Sequence, residues 1–197
     1  METVADVAGL DRFPLLGVSQ GCAVSIAYAV RHPERVSHLI LYGGFAVGTN
    51  KRPNVTAADR ERFAAMKTLV KQGWGADNPA FRQIYTSMLM PTATKEQEDA
   101  FNELQRLSGS PECAARYLET VADLHVRELL SQVRAPTLVM HVRDDPSVPS
   151  DLGRELAAGI TGARFVALPE KNHVLLEQDP GPPRFFEELK DFLANVS

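Results

Sequence analysis

The stretch from Phe13 to Phe45 constrains this chain most. Phe13-Pro14-Leu15-Leu16-Gly17-Val18 is a short apolar run, and Gln20 to Arg31 is a small, apolar helical pattern with Pro33 just beyond its end. Val36 to Tyr42 is a second apolar run, closed by Gly43-Gly44. Short runs without alternation read as strands buried on both faces, as in a parallel sheet. Two such strands joined by a helix within about 30 residues make a βαβ unit. A chain built around one is committed to an α/β architecture.

The pattern is interrupted and then resumes. Between about Ala46 and Leu130 helix-type periodicity recurs over Ala57 to Gln72, Asn78 to Met90, Lys95 to Leu107 and Glu112 to Leu129, with Gly73, Pro79, Pro91, Gly109 and Pro111 as breakers. No strand pattern and no low-complexity segment stands there, so it reads as a helical insertion rather than a linker. Pro136 to Val142 then reads as a strand, Asp151 to Ile160 as a helix, Arg164 to Leu168 as a strand and Arg184 to Asn195 as an amphipathic helix. The expected fold is α/β, a parallel sheet of about four strands with a helical cap insertion. Its parts are a first core segment at 1–45, the cap at 46–130 and a second core segment at 131–197.

Composition removes several functional classes. The 197 residues carry a formal net charge of −4 without long single-sign runs, which argues against a nucleic-acid partner. No apolar run approaches the ~20 residues that span a bilayer, and Met1 to Leu10 lacks the basic and apolar regions of a signal peptide. Cys22 and Cys113 show no metal-ligand spacing and read as reduced thiols of a cytoplasmic protein. No histidine–carboxylate cluster or glycine-rich phosphate loop is present, so neither a metal nor another cofactor is expected.

Gly17-Val18-Ser19-Gln20-Gly21 matches G-x-S-x-G. Such a motif is weak alone, but here it falls where a buried strand turns into a helix, the context of a nucleophile elbow. The tight turn would force Ser19 into unusual dihedrals and crowd the flanking positions, which favours glycine there. It would also set Ser19 at a helix N-terminus, with the backbone N–H of Gln20 as an oxyanion donor. An ordinary serine N-cap is the alternative use of the same residues.

A serine hydroxyl needs a base and a carboxylate that orients the base, and after an elbow serine the chain order is serine, acid, histidine. Asp145 follows the Pro136–Val142 run, and His173 follows the Arg164–Leu168 run. All three candidates lie past the carboxyl ends of strands, where open α/β sheets hold their ligands. Asp144 competes with Asp145 for the acid. His32, His38 and His125 read as structural, and so does His141, which ends a strand near Asp145 and has lining the site as its alternative. Met66, Trp74, Phe81, Tyr85, Met88, Met90 and Phe101 are either insertion core or an acyl or aromatic pocket.

At these residues the sequence resembles the α/β-hydrolase superfamily. The likeness runs from Leu15 through Val36 and from Pro136 through His173. Within the superfamily, Leu41-Tyr42-Gly43-Gly44, Gly73-Trp74-Gly75, Asn78-Pro79-Ala80-Phe81-Arg82, Phe101-Asn102-Glu103-Leu104-Gln105-Arg106 and Asn172-His173-Val174-Leu175-Leu176-Glu177 are similar to modules found alone or fused to LuxR-type regulators or nucleotide cyclases. The resemblance implies Ser19 as nucleophile, Asp145 as orienting acid and His173 as general base, acting on a small acyl or ester-like substrate.

Superfamily members place four strands before the elbow strand, whereas 18 residues precede Ser19 here. The resemblance therefore implies that the N-terminal half of the fold is missing, including the loop that supplies a second oxyanion N–H. Loss of one such donor costs about 3–4 kcal/mol of transition-state stabilisation. It also implies an exposed apolar edge at the elbow strand, which would seek pairing in a homodimer through that edge or the cap. A non-catalytic ligand-sensing or interaction module is the alternative function, and a piece of a longer gene product is a further possibility for the chain.

Overall fold

The computed structural model describes residues 1–194. It contains the helices α1 (Glu2–Val7), α2 (Gly21–Arg31), α3 (Ala57–Gly73), α4 (Ala80–Leu89), α5 (Lys95–Ser108), α6 (Pro111–Ala122), α7 (Ser150–Gly159) and α8 (Gly181–Ala194). The strands are β1 (Phe13–Val18), β2 (Val36–Tyr42), β3 (Thr137–Val142) and β4 (Arg164–Leu168). They form one four-stranded sheet in the order β1-β2-β3-β4, and every pairing is parallel.

Alternate residues of the inner strands feed two cores. Leu39, Leu41 and Val139 point to the face packed by α2 and α7. Ile40, Tyr42, Leu138 and Met140 point to the face covered by Phe185 and Phe192 of α8. Both faces of β2 and β3 are therefore apolar, as the unbroken runs require.

β1 departs from the expectation of burial on both faces. Phe13 and Leu15 pack beside the α2 core, but Leu16 and Val18 on the opposite face are 45% and 47% exposed. The strand pairs only with β2 among the described residues, so its outer edge carries no partner there.

Between β2 and β3 stand α3 to α6, with no strand among the described residues. Their ends are set by short-range chemistry. Thr56 and Asp59 form a reciprocal capping box at α3, Thr94 and Gln97 form another at α5, and Ser110 caps α6 with Pro111 in its first turn. The helical pattern expected through Leu129 stops at Ala122. There the chain turns so that Val126 N–H can donate to Ala46 O and Gly48 N–H to Leu124 O, and a short 3₁₀ turn at Arg127–Gln132 follows. Tertiary backbone pairing has overridden helix propensity. Asn195, the expected end of the last helix, lies outside the described residues.

Candidate active site

β1 passes into α2 almost without a spacer, and Ser19 occupies the corner. Its φ of 53° is the only positive value of a non-glycine residue among those described. Such a conformation costs of order 1–3 kcal/mol and persists where surroundings impose it. Here Ser19 N–H donates to Tyr42 O at 2.8 Å and Ser19 O accepts from Cys22 N–H at 3.0 Å. A Cβ on Gly17 would stand 2.7 Å from Ser25 Oγ and 2.8 Å from Cys22 Cα, so the approach of α2 requires glycine there. Gly21 differs: nothing lies within 4 Å of a Cβ built on it. The expected crowding at both flanking positions therefore holds at Gly17 and fails at Gly21.

Asp145 and His173 come together on the loops after β3 and β4. His173 Nδ1–H donates to Asp145 Oδ2 at 2.6 Å, and both residues are buried. Asp145 Oδ1 accepts from the N–H groups of Ser147 and Val148 at 2.8 and 2.9 Å, which fixes the carboxylate plane. The competing acid, Asp144, is exposed on the same turn. His173 Nε2 is shielded from solvent and has no hydrogen-bond partner among the described residues. Ser19 Oγ therefore lines the same cavity as His173 without being bonded to it.

The loop carrying His173 is fastened from several sides. Its main-chain N–H donates to Leu89 O at the end of α4, at 2.8 Å, and Val174 N–H reaches the same oxygen at 3.3 Å. Tyr42 O–H donates to His173 O at 2.7 Å, and burial, with Asp145 and Glu170 nearby, pushes that phenol's pKa up. Asn172 bridges Thr92 and Asp179. Gly43, with φ 60°, lies under the imidazole: a Cβ there would be 2.9 Å from His173 Cε1.

Gln20 opens α2 in helical geometry, and its N–H has no acceptor among the described residues. His141 is wholly buried behind the acid, with Nε2–H donating to Val148 O at 2.8 Å. Burial, the dominant influence, lowers its pKa. His32 lies beside Glu2 and Glu34, and His38 meets Phe192 edge to face. His125, read from its pattern as helical, instead bridges to Val47. No group of three or more histidine, cysteine or acidic side chains is placed to hold a metal ion among the described residues. No described helix is long and apolar enough to cross a membrane.

Ser19, Gln20 and His173 open onto a cavity of about 710 Å³. Of the seven insertion residues considered for a pocket, Trp74, Tyr85 and Phe101 line it, whereas Met66, Phe81, Met88 and Met90 do not. Cys113, Tyr117 and Leu118 of α6 line it and were not foreseen, because helical periodicity gives a stripe but not its neighbour. Tyr42 and Gly43 were read as the close of a strand and as part of the resemblance, not as residues of the site. A glycine directly after a parallel strand, at the sheet rim, was the available signal for Gly43.

A parallel sheet with a strained serine at one strand end, and a buried aspartate–histidine pair beside it, defines an α/β protein of hydrolase type. The chain belongs to the alpha/beta hydrolase fold family, which matches residues 1–180. It is 26% identical over 205 residues to a 2-hydroxy-6-oxononadienedioate/2-hydroxy-6-oxononatrienedioate hydrolase of Paraburkholderia phymatum, covering 98% of this chain and 66% of that protein. It is 27% identical over 178 residues to a 2-hydroxy-6-oxo-6-phenylhexa-2,4-dienoate hydrolase of Comamonas testosteroni, covering 85% and 58%. The chain thus spans less than two thirds of the length of these curated relatives. An esterase from Exiguobacterium antarcticum shares its fold, with a TM-score of 0.84, 21% identity, and coverage of 98% of this chain and 71% of that one.

Proposed function

We propose that this chain is a serine hydrolase acting on small ester-like or otherwise activated carbonyl substrates. The observation that carries this is the 2.6 Å Asp145–His173 hydrogen bond, buried beside a serine held at φ 53° on the same cavity. Asp145 holds the imidazole with its proton on Nδ1, which leaves the lone pair on Nε2 to take the Ser19 hydroxyl proton. Ser19 Oγ attacks the carbonyl, and the Gln20 N–H donates to the developing oxyanion. His173 returns the proton to the leaving group, an acyl-enzyme forms, and water attacks it by the same route in reverse. The Oγ–Nε2 hydrogen bond that this step needs forms in the substrate complex.

Treatment with a fluorophosphonate probe and with p-nitrophenyl acetate, beside Ser19→Ala, tests this. Labelling and turnover that vanish in the variant are expected. Indifference to the substitution would replace hydrolysis by ligand sensing, the role suggested by the likeness to regulator-fused modules.

The same proposal sets α3 to α6 as a cap over the site and places the protein in the reducing cytoplasm, in keeping with its free cysteines. It also includes a homodimer, in which the unpaired outer edge of β1 joins its copy. Exposed Leu16 and Val18 beside that edge favour burial against a second apolar surface. Light scattering after size exclusion should find a dimer that Leu16→Lys dissociates; a monomer at all concentrations would remove the dimer.

A further inference from the structure

We infer that the cavity selects uncharged, bulky apolar acyl groups and rejects those ending in a carboxylate. This rests on the serine-hydrolase reading and narrows it to a substrate class. Besides Ser19 and His173, residues of α4, α5 and α6 line the cavity. Tyr85, Phe101, Tyr117, Leu118 and Trp74 supply much of its apolar lining, and among the described residues no Lys, Arg, Asp or Glu lines any part of it. Trp74 and Tyr85 meet nearly edge to face, with centroids 6.0 Å apart.

The physical consequence is asymmetric. An aryl or long alkyl group entering this volume exchanges water for aromatic faces and gains hydrophobic transfer in proportion to the apolar area it buries. A carboxylate entering it gives up part of its hydration shell and meets no cation in return, an unfavourable exchange for a charge. Burial also raises the pKa of Tyr85 and Tyr117, so their phenols stay neutral donors and bring no charge of their own. At about 710 Å³ the space lies in the range that holds drug-sized ligands and far exceeds an acetyl group. Acetyl esters should therefore leave most of the binding surface unused.

The test compares p-nitrophenyl acetate, heptanoate and phenylacetate with the p-nitrophenyl half-ester of adipic acid, which resembles the heptanoate but ends in a carboxylate. kcat/KM should rise at least about tenfold from acetate to heptanoate or phenylacetate, and fall at least about 100-fold from heptanoate to the adipate half-ester, each tenfold being about 1.4 kcal/mol. Tyr117→Arg, on a partly exposed helical position, should shrink the second ratio at least about tenfold by supplying the missing cation. Equal rates on the neutral and charged esters would overturn the inference.

A readout independent of turnover separates this from the catalytic proposal. Trp74 is the only tryptophan of the chain and lines the cavity, so its fluorescence reports occupancy. Heptanamide should perturb it at concentrations where the singly charged adipic monoamide does not. Discrimination here without Ser19-dependent turnover would uphold the pocket and refute the hydrolase; equal responses to both amides would refute the pocket.

Discussion

The imidazole of His173 rests on Gly43, at a spacing that leaves no room for a side chain. A Cβ at position 43 would stand 2.9 Å from Cε1 and 3.3 Å from Nδ1, and the backbone there has φ 60°. Gly43→Ala should therefore act twice. The left-handed conformation costs an L-residue about 1–2 kcal/mol, and the displaced ring loses its alignment with Asp145. A shift of about 1 Å in a reacting group can cost about 10²-fold in rate, so kcat should fall about that much while Tm drops by several degrees. Unchanged kcat with lowered Tm would show that the ring position is not critical.

Asp145→Asn keeps the shape of the acid but presents a donor as well as an acceptor to His173 Nδ1. The Oδ1 position, held by the N–H groups of Ser147 and Val148, stays the acceptor, so the amide nitrogen faces the ring. The imidazole must then carry its proton on Nε2, the wrong nitrogen for a base. In Ser-His-Asp sites this tautomer error costs about 10⁴-fold in kcat. Steady-state kinetics on a p-nitrophenyl ester would measure it, and a loss below tenfold would remove Asp145 from its proposed role.

His141 should make the fold sensitive to acid. Burial lowers its pKa from the ordinary 6.5, so as pH falls below that value the unfolded chain takes up a proton that the folded chain refuses. Stability is at its full value above about pH 6.5 and declines below it, until the lowered folded value is reached. Thermal melts between about pH 7.5 and about pH 5.5 should show falling Tm. His141→Gln should flatten that slope, whatever it does to Tm at neutral pH. An equally steep slope in the variant would assign the acid sensitivity elsewhere.

The two thiols should behave differently. Cys22 is buried under the elbow, its Sγ–H facing Gly17 O at 3.2 Å, and burial pushes its pKa up to about 12. Cys113 is exposed and lines the cavity. A disulfide reagent should titrate one thiol in the native protein and both after unfolding. Saturation with heptanamide should slow the native reaction.

The order of strands and helices around the sheet was legible because burial on two faces leaves an unbroken apolar run; β1, β2 and β4 begin and end where their runs do. Ser19, Asp145 and His173 could be named for a related reason, since each follows a strand and the sheet gathers such ends at one rim. Exposure of Leu16 and Val18 was hidden in the composition of β1, because a run of apolar residues does not say what lies beside it. Nor could the sequence show that α6 stops at Ala122 for a backbone bridge, or that α6 lends Tyr117 to the cavity. The guanidinium of Arg82 is another case: it is buried and donates to the carbonyls of Asn102, Gly73, Trp74 and Ala76, ordering the turns between the helices through main-chain atoms common to every residue.

The two hydrogen bonds from His173 and Val174 to Leu89 O tie the cavity lining, to which Leu89 belongs, to the very loop that carries the imidazole. The link runs through a main-chain carbonyl that every residue at position 89 would carry, so exchanging the Leu89 side chain reshapes the cavity while leaving both acceptor bonds in place.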